Sequence, residues 1–185
     1  MSKNITKYLL VTTGAIFTLL LLTKKKIKQS TKKIVFTPAQ IDFIKYLTPY
    51  AKAIGEKIGV PYIFLISQII LETNYGKSSL FKKYFNVGGI KAVKGQKSVS
   101  LMTTEYENGI KVQKPQNFAV YSDLLSGLAA YAKIFQNRYF KMHLNKTTNP
   151  DTYVTLLQSN KIKYATDINY IDKIKKLNSG VSQYA

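Results

Sequence analysis

PYIFLISQIILETNYG, residues 61–76, decides how the rest of the chain is read. Pro61 suits the opening of a helix, where the N–H it lacks would have no intrahelical partner. From Tyr62 to Leu71 the residues are apolar nearly all round, and in a folded domain such a helix is central and buried. Its polar positions are Ser67, Gln68, Glu72 and Thr73, of which Gln68 and Glu72 stand four apart and share one face. A polar stripe at the C-terminal end of a buried helix lines something wet. The chain holds only 9 acidic residues, so an acid at the end of its greasiest segment needs a reason.

Working outward, Thr37-Pro38-Ala39-Gln40 carries a capping box with proline at the first helical position. The helix it starts should run towards Gly59, bent or interrupted at Pro49. After Gly76, SSLFKKYF reads as a short amphipathic helix and NVGGIKAVKG as a glycine-containing loop. In SVSLMTTEYENGIKV, Val99, Leu101, Thr103 and Glu105 alternate with Ser100, Met102, Thr104 and Tyr106, and Asn108-Gly109 follows as a hairpin turn. Ser122 should cap a helix over DLLSGLAAYAKIFQNRYF. Asn149-Pro150 opens another to about Ser159, and a last helix follows Thr166. These elements predict an α+β domain, mostly α, with one β-hairpin and no internal repeat, over residues 37–185.

A chain of 185 residues suits one domain, and 45% hydrophobic content with 14 Tyr and 9 Phe supplies a core. Cysteine is absent, which removes disulfides, thiolate nucleophiles and cysteine metal sites. A single histidine, His143, removes most metal centres and Ser-His or Cys-His schemes. No metal or cofactor is expected. The formal charge of +19 implies an anionic partner. Only Arg138 is an arginine, whereas a nucleic-acid reader favours guanidinium forks, so no specific nucleic acid is expected.

Eight lysines and no acid precede Pro38. Within that stretch YLLVTTGAIFTLLLLT, residues 8–23, is uncharged, and extended back to Ile5 it approaches the roughly 20 residues of a membrane span. KKK follows it as a stop-transfer flank without a small-x-small cleavage site, so residues 1–23 are expected to be an uncleaved membrane anchor and 24–36 a basic linker. The lysine bias after the span favours a cytoplasmic C-terminal side, opposite to what a domain outside the cytoplasm needs. A virion membrane or a lysis protein would reconcile the two.

A carboxyl at the wall of an apolar site is destabilised when ionised, so its pKa rises and it can donate a proton near neutral pH. Glycosidic cleavage needs such a donor, which makes Glu72 a candidate general acid, against the plainer alternative of a buried Glu paired with lysine. Glu105 on the expected hairpin is the candidate second carboxylate, with Glu107 as its local competitor. Tyr75, Phe118, Tyr121, Tyr164 and Tyr170 are candidates for the walls of a carbohydrate groove.

These pieces resemble the bacterial peptidoglycan glucosaminidases, glycoside hydrolase family 73, which includes flagellar and autolysin hydrolases. The resemblance runs from about Phe36 to Leu177. SQIILETNYGKSSL looks like the family's acid-bearing helix, and FNVGGIK is similar to its Asn-x-x-Gly-Ile-Lys segment. TTEYENG resembles the hairpin with the second acid, NFAVYSDLLSGLAAYAKIF the Phe-x-x-Tyr stretch and following helix, and KYATDINYIDKI the late Tyr-Ala-Thr-Asp element. The family's Glu-Ser-x-Trp-Gly reads Glu72-Thr73-Asn74-Tyr75-Gly76 here, and its Phe-Gly loop pair is Gly88-Gly89.

The resemblance implies a lysozyme-like α+β fold and cleavage of peptidoglycan glycan strands between N-acetylglucosamine and N-acetylmuramic acid. It puts Glu72 and Glu105 in the catalytic positions, Tyr164 beside the acid, and Gln68, Tyr75, Asn86, Phe118, Tyr121 and Tyr170 at the substrate. Glu105 would assist water, or the substrate's own acetamido group would attack instead. Two other functions stay open: a muramidase or lytic transglycosylase of the same fold, and a non-catalytic wall-binding or structural membrane protein.

Overall fold

The computed structural model describes residues 34–107, 110–139, 145–159 and 164–185. Their order is α1 (Pro38–Ile58), α2 (Tyr62–Thr73), α3 (Ser79–Tyr84), β1 (Ser98–Glu107), β2 (Ile110–Ala119), α4 (Leu124–Tyr139), α5 (Pro150–Ser159) and α6 (Tyr170–Val181). Among the described residues no helix is long and apolar enough to cross a membrane. The expected anchor at 5–23, the turn at Asn108-Gly109 and His143 lie outside the described residues.

The capping box forms as its residues dictate: Gln40 N donates to Thr37 Oγ1 at 3.4 Å, and Thr37 N donates to Gln40 Oε1 at 2.8 Å. Of the bend or interruption expected at Pro49 there is no interruption, and α1 continues through it to a left-handed Gly59. Proline removes one hydrogen bond, but the buried residues Ile44 and Leu47 before it and Ala51 and Ile54 after it belong to one packed face. Packing on both sides of the proline holds the helix.

α2 is the central element, as its composition requires. Phe64, Leu65, Ile66 and Ile69 are fully buried, each such side chain contributing about 1.5–3 kcal/mol. The helix packs against α1, α5 and α6, and the Phe64 ring meets Phe135 and Tyr153 at 5.1 and 4.7 Å between centroids. At its C-terminus Asn74, Tyr75 and Gly76 all take positive φ, of 48°, 57° and 74°. Thr73 holds this turn, its hydroxyl donating to Ile69 O at 2.6 Å and accepting from Gly76 N at 2.9 Å.

The cap of α4 is Asp123, one residue beyond the expected Ser122. Asp123 Oδ1 accepts from Ser126 N at 2.8 Å, while the Ser122 hydroxyl donates to Asp123 Oδ2 at 2.7 Å. A carboxylate so bonded sits below its ordinary pKa, the Ser126 N–H being the main cause.

β1 and β2 pair antiparallel from Ser98 opposite Ala119 to Glu107 opposite Ile110. A lone two-stranded hairpin is marginal in water, and this one is tied to the helices at its base. Asn86, fully buried, donates from Nδ2 to Ile90 O and to Ala119 O, both at 2.9 Å, and accepts from Ile90 N at 2.8 Å. Ala119 N donates back to Ile90 O, and Tyr121 N to Tyr84 O. The architecture is α+β and mostly helical, with a small antiparallel sheet. The packed unit takes in residues ahead of the Thr37 cap, since Phe36 is buried and lies edge-on to Tyr75 and Tyr184.

Candidate active site

Glu72 occupies the last turn of α2, one residue before Thr73 and its turn. The residue reaches solvent, yet protein crowds its carboxyl enough that burial raises its pKa above the ordinary carboxylate value. A hydrogen bond from the Tyr131 hydroxyl opposes the rise and is the smaller influence.

Behind Glu72 lies a cluster of hydroxyls drawn from distant parts of the chain. Gln68, one turn earlier on α2, is fully buried, and its Nε2 donates to the hydroxyl of Tyr170 at the start of α6. Tyr131, on α4, donates towards Gln68 Oε1 at 3.3 Å, and its oxygen lies 3.1 Å from that of Tyr164. The rings of Tyr164 and Tyr170 pack at 5.5 Å between centroids. Burial foremost, then the neighbouring Tyr164 and Glu72, pushes the Tyr131 hydroxyl well above its usual pKa, so it stays protonated and acts as a donor. One tyrosine proton faces three acceptors, and an ionised Glu72 is the strongest of them.

The structure therefore brings together Gln68, Glu72, Tyr164 and Tyr170 of the sequence-predicted residues. It adds Tyr131, which sequence reasoning missed. Tyr131 follows Leu124 and Leu128 and precedes Phe135 on the buried face of α4, a spacing indistinguishable from plain core. Gly88 belongs with it: a Cβ there would lie 2.4 Å from the Tyr131 ring.

The other expected residues have partners of their own. Glu105 occupies β1 opposite Val112; its side chain, like that of Glu107, lies outside the described residues. Asn86, expected at the substrate, spends its amide on backbone partners and holds the loop to β2. Phe118 pairs with Val99 across the hairpin and bridges to Lys91. Tyr121 is half-buried, its pKa raised by burial and drawn back by a bond to Gln96. Tyr75 lies against Phe36, with its hydroxyl pKa raised by burial. Among the described residues no group of three His, Cys, Asp or Glu is placed to hold a metal ion.

A partly desolvated carboxyl at a helix end, backed by hydroxyl donors, is the equipment of an acid catalyst, and comparison with known proteins gives the same direction. The model of the glucosaminidase family, described as mannosyl-glycoprotein endo-beta-N-acetylglucosaminidase, matches residues 48–182. The chain belongs to this family. It is 31% identical over 161 residues to the peptidoglycan hydrolase FlgJ of Pseudomonas aeruginosa, covering 82% of this chain and 39% of that protein. It is 30% identical over 154 residues to a probable N-acetylmuramidase of Lactococcus lactis subsp. lactis, covering 77% and 33%. The catalytic domain of the Listeria monocytogenes autolysin Auto superposes with a TM-score of 0.70 at 26% identity, covering 89% of this chain and 97% of that one. The chain thus spans about two fifths or less of the length of these curated relatives.

Proposed function

We propose that the domain is a glycoside hydrolase that cleaves peptidoglycan glycan strands between N-acetylglucosamine and N-acetylmuramic acid, with Glu72 as general acid. The observation that carries this reading is the carboxyl of Glu72, desolvated on one side and open to solvent on the other. Such a group holds its proton until a leaving oxygen needs it. The Tyr131 hydroxyl keeps the carboxyl in place from behind, and Gln68 in turn holds Tyr131. Glu105, on the hairpin, supplies the second carboxylate, either assisting water or supporting attack by the substrate's acetamido group. Phe118, Tyr121 and Tyr164 contribute ring surface and hydroxyls near the strand, Tyr170, which is buried, acts through its bond to Gln68, and Asn86 acts by fixing the loop.

The test is digestion of purified peptidoglycan by the full chain, with borohydride reduction of the products and mass spectrometry of their ends. Reduced N-acetylglucosamine ends are expected. Glu72→Gln should fold and lower the rate about 10²–10⁴-fold; near-normal cleavage by that variant sinks the assignment. The lactococcal relative's name favours a second reading, cleavage at the muramic side, which reduced muramic ends would establish; anhydromuramic ends would mark a lytic transglycosylase instead. We further propose that residues 5–23 anchor the domain to a membrane facing the wall. Protection of the domain from protease added to intact cells would overturn that topology.

A further inference from the structure

The proton of Tyr131 has more than one place to go, and Gln68 decides between them. The Tyr131 hydroxyl donates to Gln68 Oε1 at 3.3 Å, beyond the roughly 2.5–3.0 Å of an ordinary O–H···O bond, so this bond holds the proton loosely. Its oxygen also lies 3.1 Å from that of Tyr164, a hydroxyl that can donate to it and leave its own proton free. A carboxamide accepts at one end and donates at the other, so Gln68 is an acceptor for Tyr131 only because of the way its amide faces. That side chain is fully buried, and its Nε2 donates to the hydroxyl of Tyr170, which turns Oε1 towards Tyr131. Tyr170 is buried in turn, at the start of α6, with its ring against that of Tyr164.

A neutral carboxyl is a weak acceptor and a carboxylate a strong one, so the charge on Glu72 settles where the Tyr131 proton rests. While Glu72 holds its own proton, the Gln68 carbonyl is the better acceptor. Once Glu72 is ionised, the Tyr131 proton turns to it and the bond to Gln68 is given up. Of the described residues, Tyr131 on α4 is the titratable group bonded to the Glu72 carboxyl, with Tyr164 and Tyr170 behind it, and the acids and lysines of α1, α4, α5 and α6 exert no comparable influence. This inference rests on the reading of Glu72 as general acid. We propose that Gln68 and Tyr170 are positioning residues: Tyr170 fixes the amide of Gln68, and the amide offers the Tyr131 proton an acceptor that competes with Glu72, so that Glu72 keeps its own proton until a leaving oxygen takes it. Without that acceptor the Tyr131 proton bears on Glu72 at all times and favours its ionised form.

The test is a titration of the Glu72 carboxyl in the full chain, by NMR of glutamate labelled at its carboxyl carbon, beside the pH profile of kcat/KM on peptidoglycan. The chain has four glutamates, so the Glu72 signal is assigned by its loss in Glu72→Gln. Tyr170→Phe keeps the ring and removes the acceptor of Gln68 Nε2, which frees the amide to turn its donor end to Tyr131. Glu72 should then titrate at lower pH than in wild type, and the alkaline limb of kcat/KM should move with it. Activity lost at neutral pH should return on acidification, which a merely structural defect would not allow. Gln68→Met fills similar space, removes the carbonyl outright and should move Glu72 the same way; either variant decides alone where the other does not fold. In the Tyr131→Phe background, Tyr170→Phe should move nothing further, because its effect runs through that hydroxyl. A Glu72 titration unmoved in a folded variant, a move to higher pH, or a move that persists without the Tyr131 hydroxyl overturns the proposal. The expected titrations in a chain that does not cleave peptidoglycan would uphold the positioning pair and overturn the hydrolase instead.

Discussion

The ring of Tyr131 occupies the space in which a side chain at residue 88 would begin. A Cβ added to Gly88 would sit 2.4 Å from Cε2 and 2.8 Å from Cδ2 of that ring. Tyr131 is itself buried, so it has little room to retreat. Gly88→Ala should therefore cost about 1–3 kcal/mol through overpacking and displace the Tyr131 hydroxyl from Glu72. Denaturant unfolding gives the first effect and the rate of peptidoglycan cleavage the second. Wild-type values for both would show that the loop yields instead of the ring.

Removing the Tyr131 hydroxyl while keeping its ring isolates its electrostatic part. Burial raises the pKa of Glu72 and the Tyr131 hydrogen bond lowers it, so Tyr131→Phe leaves the raising influence unopposed. A general acid is active while protonated, and its rate falls as pH rises through its pKa. The alkaline limb of kcat/KM should thus move to higher pH. An unmoved limb would show that Tyr131 does not bear on the ionising group.

Local chemistry made much of the fold legible. Thr37, Pro38 and Gln40 start α1 through bonds among near neighbours, and the apolar run from Tyr62 to Leu71 admits only a buried helix. Pro49 does not interrupt α1, because the proline rule is local while the buried face that holds the helix is shared by residues on both sides. At the site, Gln68 and Glu72 are readable because their spacing is helical. Tyr131 is not, because what separates it from an ordinary core tyrosine is the set of partners at its oxygen. Those lie 63 and 33 residues away, at Gln68 and Tyr164. Asn86 shows the opposite failure. A resemblance places it at a substrate, and only the folded chain shows its amide consumed by Ile90 and Ala119.

Asn86→Ala tests that assignment. The substitution deletes three hydrogen bonds of a buried amide and leaves the Ile90 N–H without its partner, at a cost of about 3 kcal/mol. The loss should appear as a lower unfolding midpoint, together with faster amide exchange at Ala119 and its neighbours on β2. Asn86→Asp keeps the acceptor for Ile90 N but loses both donated bonds, so it too should be less stable than wild type. Full stability with reduced substrate affinity in either variant would return Asn86 to the groove.

Glu72 should also leave a mark on stability, with a sign opposite to that of a salt-bridged acid. Its native pKa lies above the ordinary value of 4.5 because burial disfavours the charged form. Across the window between the two values the native state binds more protons than the unfolded chain, so stability declines as pH rises. The contribution is whole below the unfolded pKa and is lost as pH climbs through the raised native one. Glutamine has the same shape and never ionises. Glu72→Gln should thus match wild type near pH 4 and melt at a higher temperature than wild type at pH 7, even as cleavage collapses. A variant that melts lower at pH 7 would mean that the native state welcomes the ionised carboxylate, and the desolvated acid would have to be abandoned.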